Sequence, residues 1–396
     1  MRGTLAPSIW QYDPAVYAPP RYRRACAYDA FVPSSLDALP PIAPEVAGTI
    51  SAAEDAIRQL NAVAQPALAP LARLLLRTES IASSKVEGMQ VDARTLARAE
   101  ARSDAGRSIG SEAAEILANI DAMQLAVEEA ASVESLGVAH VLDIHRVLLA
   151  GAANAGRTAG VIRATQNWIG GNDYNPCGAA FVPPPAAEID RLLDDLVGFC
   201  NDESLPPLAQ AAFAHAQFET IHPFIDGNGR TGRALVQVIL RRRGIAPDYV
   251  PPISIVLAAD KGRYTEGLVA FREGREDRWL EAFAVAAARA AELAASYLAQ
   301  VQALQADWEK RLRGIVTRRD AAAWLLIAEL PGHPIISTAV GVALTQRAKP
   351  RVQQAIDHLV QAGVLLPLSG AKRNRQWEAA GLLDLLADLE AAHPRR

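Results

Sequence analysis

Cysteine is scarce. Three occur in 396 residues, Cys26, Cys177 and Cys200, with no CxxC pair and no metal-ligand spacing. They read as ordinary reduced thiols. Aromatic residues make up 6% of the chain, and neither sign of charge dominates: 40 Lys and Arg stand against 44 Asp and Glu, a formal charge of −4. A chain so balanced does not coat nucleic acid over its whole surface, although a local basic patch stays open. The opening stretch, MRGTLAPSIWQYDP, has no apolar signal core, and no run of 18 apolar residues follows. These absences predict a cytoplasmic protein with no membrane partner.

What is abundant is alanine, leucine and helical spacing. Half of the residues are hydrophobic, enough for buried cores, and the length predicts two or three domains. Apolar residues recur at three and four, so most of the chain reads as helix. Residues 1–40 differ: YAPPRYRR and FVPSSLDALPP read as extended, proline-broken segments lying over a helical body. Helices are expected within 45–104 and at about 109–131, 135–150, 186–202, 207–221, 230–243 and 276–313. Residues 160–185, with Gly170–Gly171 and a proline triplet, read as a β-hairpin-like flap. The expected organisation is a helical region over 1–104, a core over 105–314, a linker near 314–318 and a last domain over 319–396.

HPFIDGNGRTGR, residues 222–233, lies between two of these helices. Pro223 helps end the first, and the second begins in the glycine turn. Amides at a helix N-terminus form an anion site, and glycine lets a phosphate approach the backbone closely. Arg230 and Arg233 add fork-shaped donors for phosphate oxygens. Asp226 is an odd neighbour for an anion unless a cation such as Mg²⁺ lies between them. His222 is placed to take a proton from an attacking hydroxyl. The order GxxxxGK[ST] is absent, which excludes a Walker A loop.

The stretch resembles the signature of the Fic family, HxF followed two residues on by an acid and then GNGRxxR, at every fixed position. GVIRATQNWIGG…FVPPP is similar to the Fic flap, DIHRVLL to the helix before it, and YDAFVPSSL to the N-terminal region of many Fic proteins. The resemblance covers roughly residues 20–310. It implies a mainly α fold: a Fic helical core, a β-hairpin flap and a C-terminal winged helix-turn-helix domain. It also implies transfer of AMP from ATP to a protein hydroxyl, with Mg²⁺ (or Mn²⁺) and loss of pyrophosphate. His222 would be the general base and Asp226 the metal ligand. Gly227, Asn228 and Gly229 would line the anion hole. Arg230 and Arg233 would hold the β- and γ-phosphates, with Thr231 and Gly232 in the same nucleotide-binding turn. Phe224 would anchor the loop. Tyr264 sits near the nucleotide base or is a core aromatic. The same site type can remove AMP or transfer another phosphate-linked group, and a DNA-binding regulator with a nucleotide-sensing core is a further alternative.

SSKVEG, residues 83–88, places Ser83 and Glu87 at i and i+4 on one helix face, with Gly88 as C-cap. It resembles the inhibitory helix that many Fic proteins carry ahead of the core, which implies that Glu87 pairs with Arg233 in the space of the γ-phosphate. The extended stretch 163–171 suggests docking of a target segment as an added strand, with its Ser, Thr or Tyr hydroxyl near His222; the alternative is a structural hairpin. In the last domain, a helix precedes GVLLPL, the turn SGAKRN and RQWEA, the winged-helix pattern, with PIISTAVGVALT as the preceding helix. Arg347, Lys349, Arg351, Lys372, Arg373 and Arg375 face one acid, Asp357, between 347 and 375, a net +5. That charge suits DNA, while protein contact or a homodimer is the other use of such a domain.

Overall fold

A computed structural model describes residues 2–15, 17–62, 69–103, 106–318, 321–368 and 375–391, which are mainly helical. Strands β1 (Gly3–Trp10) and β2 (Cys26–Pro33) come first. Helices α1 (Pro44–Ala62), α2 (Ala69–Val86), α3 (Ala93–Ser103), α4 (Ser111–Leu125), α5 (Val138–Leu148) and the single turn α6 (Ala155–Thr158) follow. Then come α7 (Ile189–Asn201), α8 (Pro207–Ile221), α9 (Asn228–Arg242), α10 (Ile253–Ala259), α11 (Lys261–Arg272) and α12 (Glu276–Arg313). The chain continues with α13 (Ala322–Glu329), β3 (Ile335–Ser337), α14 (Thr338–Thr345), α15 (Lys349–Gln361), β4 (Leu365–Pro367), β5 (Gln376–Ala379) and α16 (Leu382–Ala391).

These elements form two compact units that do not follow sequence blocks. One comprises residues 1–54, 121–245 and 260–286; the other comprises 55–120, 246–259 and 287–396. The stretch 105–314, expected as one core, is divided between them, whereas 319–396 falls wholly in the second.

The first unit is built on α8. Every residue from Leu208 to Ile221 is buried. A helix rich in alanine and buried on every side belongs at the centre of a core, and several of its polar side chains bond to carbonyls: Gln210 Nε2 donates to that of Phe199 at 2.9 Å, Thr220 Oγ1 to that of Ala216 at 2.7 Å and Gln217 Nε2 to that of Ser34 at 2.9 Å. Helix α9 packs on it at Gly232, where a Cβ would come within 3.0 Å of both His215 and Phe218. The N-terminal segment, expected as extended chain, is a two-stranded antiparallel sheet running in register from Gly3–Pro33 to Trp10–Cys26. Pro7 is tolerated because β1 is an edge strand, where a missing N–H costs little.

Two expectations are corrected in this unit. The flap is not a regular hairpin: among its described residues the pairing is a single antiparallel bridge, Ile169 with Phe181. Gly170 and Gly171 (φ 74° and 81°) turn the chain immediately, Asn172 Oδ1 takes the N–H groups of Tyr174 and Asn175, and Pro183–Pro185 have none to give. The cysteines are not all reduced thiols. Cys26 and Cys177 form a disulfide across 151 residues, Cα–Cα 6.3 Å, which sequence spacing could not reveal because the fold alone makes them neighbours. Cys200 stays free and buried, its thiol pushed up to about 12 by burial.

In the second unit, α2 packs on α10. The Glu79 carboxylate accepts from Ser254 N–H (2.9 Å) and Oγ (2.5 Å) at the first turn of α10. Asn119 Nδ2 donates to the Ser80 carbonyl and Ser84 Oγ of α2. The C-terminal part holds helices α13 to α16 around an antiparallel sheet ordered β3-β5-β4. The stretch expected as one helix, PIISTAVGVALT, is split: Ile335–Ser337 pairs with β5, and Ser337 Oγ accepts from Val340 N–H to start α14. The β-branched pair and the N-cap serine explain the break. Lys372 and Arg373 lie outside the described residues. Among the described helices, α12 is long and apolar enough to cross a membrane, but half of its most apolar stretch is buried within the protein.

Candidate active site

Helix α8 stops where His222 turns left-handed, φ 49° and ψ 60°. For a non-glycine residue this costs roughly 1–2 kcal/mol, so surrounding contacts must hold it. They do. His222 N–H donates to the Phe218 carbonyl at 2.9 Å, and its own carbonyl accepts from Arg163 Nε at 2.9 Å. Arg163 N–H donates to the Pro223 carbonyl (2.9 Å), and its remaining guanidinium donors reach the carbonyls of Thr165 and Pro184. Burial pulls the Arg163 pKa down to about 10, so it stays charged at neutral pH, solvated by carbonyl oxygens.

Asn228 closes the loop. Its Oδ1 accepts from Phe224 N–H and its Nδ2 donates to the Phe224 carbonyl, both at 2.9 Å. Asn167 Nδ2 reaches the same carbonyl at 2.9 Å. The Asn228 side chain is therefore spent on loop shape, and what it offers an anion is its backbone N–H. Gly227 (φ 80°) is the N-cap of α9, and the first bond across that turn runs from Thr231 N–H to the Gly227 carbonyl, 3.0 Å. The amides of Asn228 and Gly229 precede that bond and have no partner within the helix, the condition for anion binding. A Cβ on Gly227 would meet Leu148 at 3.1 Å and His145 at 3.3 Å.

His145 was not singled out by the sequence, although it stands in the DIHRVLL stretch. It is fully buried and its Nδ1 accepts from Gly160 N–H at 2.9 Å, so Nε2 carries the proton and donates to the Asp226 carbonyl at 3.0 Å. Burial lowers its pKa to about 4. Arg163 and Asn167 were likewise missed; only their place in the flap stretch hinted at a role. His145, Arg163 and Asn167 position the loop from α5 and the flap.

Charge is distributed as anion binding requires. Arg230 and Arg233, in the first two turns of α9, are buried. The Asp226 side chain is 63% exposed; its Oδ1 accepts from Gly227 N–H at 2.6 Å and lies 3.5 Å from Arg230 Nη2. Glu219 Oε2 lies 3.9 Å from His222 Nδ1. Asp226 is an exposed carboxylate beside the first amides of α9, a donor that would suit a Mg²⁺ ion shared with substrate phosphates. Tyr264 is half-buried; its hydroxyl is 2.9 Å from His215 Nε2, in a ring cluster with Trp279 behind Gly232. Ser83 and Glu87 belong to the other unit. Ser83 is buried on α2, Glu87 is exposed just past its end, and Gly88 (φ 95°) caps it as expected.

The sequence profile of the Fic/DOC family matches residues 135–240, which hold this whole loop, and that of the Fic/DOC N-terminal region matches 48–128. The chain carries a Fic/DOC domain. Over 121 residues it is 35% identical to protein adenylyltransferase fic-1 of Caenorhabditis elegans, covering 30% of this chain and 22% of that protein. It is 36% identical over 114 residues to protein adenylyltransferase Fic of Drosophila grimshawi, 28% and 21% of the two chains. The chain thus spans about a fifth of the length of the curated relatives it matches. The fold is that of a Fic family protein from Desulfovibrio desulfuricans: TM-score 0.53 at 19% identity, over 86% of this chain and 98% of the other. A fragment of C. elegans Fic-1 gives 0.51 at 22% identity, over 65% and 74%.

Proposed function

We propose that this Fic protein is an autoinhibited protein adenylyltransferase, moving AMP from ATP to a Ser, Thr or Tyr hydroxyl of a target protein. The observation that carries the reading is the joint at His222: a histidine held left-handed at the end of a buried helix, five positions before the glycine N-cap of the next. In this scheme His222 takes the hydroxyl proton, with Glu219 Oε2 3.9 Å from its Nδ1. The oxygen attacks the α-phosphorus and the bond to pyrophosphate breaks. The amides of Asn228 and Gly229 bind phosphate oxygens, Gly227 N–H being taken by Asp226 Oδ1 and Gly227 serving as the N-cap; Arg230 and Arg233 hold the outer phosphates, and Gly232 lets α9 seat against α8. Asp226 would hold Mg²⁺, or Mn²⁺, which neutralises phosphate charge when bound.

Glu87 is the brake in this reading. Its support is the helix end at Gly88 and the match of the N-terminal family profile over 48–128. A carboxylate paired with Arg233 takes a ligand from the γ-phosphate and repels it; displacement of ~1 Å costs ~10²-fold in rate. Target docking on 163–171 is supported by apolar side chains left in solvent around the loop: Val161 (50% exposed), Ile169 (39%) and Ile225 (50%). At the C-terminus, exposed Arg347, Lys349 and Arg351 at the start of α15 favour a winged helix that meets DNA phosphates.

Labelled ATP tests the enzyme and its brake together. Glu87→Gly should transfer far more AMP to itself and to lysate proteins than wild type. Adding His222→Ala should lower that by ~10²–10⁴-fold while ATP still binds. Equal transfer with and without His222 would remove it from the chemistry, and no gain on Glu87→Gly would remove the brake.

A further inference from the structure

Two extended segments of the first unit run side by side and are pinned at both ends. At one end the disulfide joins Cys26, where β2 begins, to Cys177 near the far end of the flap. At the other, Phe31 N–H donates to the Val182 carbonyl at 2.9 Å. The pins are five positions apart on each segment, in the same direction along the chain, so the two run parallel. Between them the packing does not close: Ala27, Asp29 and Phe31 of β2, Gly178–Phe181 of the flap and Arg272 of α11 line an open cleft of about 340 Å³. Beyond the two pins, the flap is held to the N-terminal segment by ring contacts: Tyr22 on Tyr174 (centroids 5.1 Å), Trp10 on Trp168 (5.4 Å) and Phe31 near Phe181 (6.1 Å).

We infer that the Cys26–Cys177 bridge is a redox-controlled clamp that sets the order of the flap and, through it, capture of the protein target. The functional half of this inference rests on the proposed docking of targets at 163–171. The two sides of the flap are secured differently. Residues 163–167 are tied to the catalytic loop by Arg163 and Asn167. Residues 169–181 have the one bridge between Ile169 and Phe181, and the outer side of that bridge is fixed by the disulfide. Cutting the covalent pin leaves, between the two segments, the Phe31–Val182 hydrogen bond and the three ring contacts, with Arg272 over Phe181 (3.9 Å) and the turn bonds of Asn172 and Asn175 beside an open cleft. The outer side then gains freedom, and a target strand must restore its order at the moment of binding, which weakens capture.

The chemistry is available. Both cysteines are half-buried, within reach of a thiol reagent. A dithiol reductant opens the bridge by exchange: its thiolate attacks one sulfur, the S–S bond breaks, and its second thiolate displaces the protein sulfur. Two electrons and two protons pass to Cys26 and Cys177, and the reductant leaves as a cyclic disulfide. Cys200 does not compete, since it is buried and its thiol pKa is raised to about 12.

The test uses the full chain, oxidised and then treated with dithiothreitol. Maleimide mass tagging after denaturation should count one free thiol before reduction and three after it. Amide exchange over residues 172–182 should quicken several-fold on reduction, while that of α8 stays unchanged. Protein-directed transfer from labelled ATP should fall several-fold with ATP affinity constant, and reoxidation should restore it. Cys177→Ser should match the reduced wild type under both conditions. Three free thiols without reductant, or unchanged exchange over 172–182, would overturn the clamp. Faster exchange with unchanged transfer would overturn its control of target capture. If no AMP is transferred in any state, the proposed reaction fails, while the thiol count and amide exchange still decide the clamp.

Discussion

The imidazole of His145 lies flat on the ring of Phe224, centroids 3.6 Å apart and planes within 2° of parallel. Phe224 is fully buried, and the loop that carries His222 and Asp226 is built on it. The histidine is thus the floor of the site, and its two ring nitrogens bind Gly160 and Asp226 backbone from opposite sides.

That floor is acid-labile. His145 has a folded pKa of about 4 against 6.5 for the free side chain. The unfolded chain therefore binds more protons between these values, and stability contributed by neutral His145 is full above pH 6.5 and lost as pH falls towards 4. His333 in the second unit, also lowered to about 4 by burial, acts in the same direction. Melting followed from pH 7.5 to 4 should show a steep fall beginning near 6.5. His145→Gln should flatten part of that fall; an unchanged slope would contradict a buried neutral imidazole.

Arg163 should resist replacement, including by lysine. Three carbonyls, those of His222, Thr165 and Pro184, share its guanidinium, and one ammonium on a shorter stem cannot reach all of them. Each acceptor left buried and unmet costs ~1–3 kcal/mol. Arg163→Lys should lower denaturant stability by at least one such penalty, and Arg163→Ala by more. Stability within error of wild type in both variants would show that the flap is not anchored there.

Removing divalent metal should abolish transfer. Chelation by EDTA should stop AMP incorporation, added Mg²⁺ or Mn²⁺ should restore it, and Asp226→Ala should stay inactive with either. Because the Asp226 side chain is largely exposed, the substitution should leave the melting temperature nearly unchanged. Full transfer in EDTA would exclude the metal role.

The basic start of α15 should bind phosphate. Replacing Arg347, Lys349 and Arg351 by alanine should weaken binding of duplex DNA and flatten its salt dependence by ~0.9 for each phosphate that is no longer neutralised. If wild type shows no gel shift at low salt, the domain's surface serves a protein partner or a second copy.

The sequence by itself determined the elements whose cause is local. Gly88 ends α2, α12 runs from Glu276 to Arg313 as its spacing predicts, and the alanine-rich run 208–221 is a fully buried helix. The motif 222–233 also folds as its glycines and Pro223 predict, a turn that enters α9 with Gly227 as N-cap. Tertiary structure decided what depends on residues far apart in the chain. Cys26 and Cys177 became a disulfide, and Ile335–Ser337 became a strand because β5 is there to pair with it. His145 and Arg163 became the supports of a loop 81 and 59 residues away. Asn228, which reads as a ligand, spends its side chain on Phe224. Backbone propensity and capping act within a few residues and are written in order along the chain. Satisfaction of buried polar groups and burial of charge are settled only when the fold chooses the neighbours.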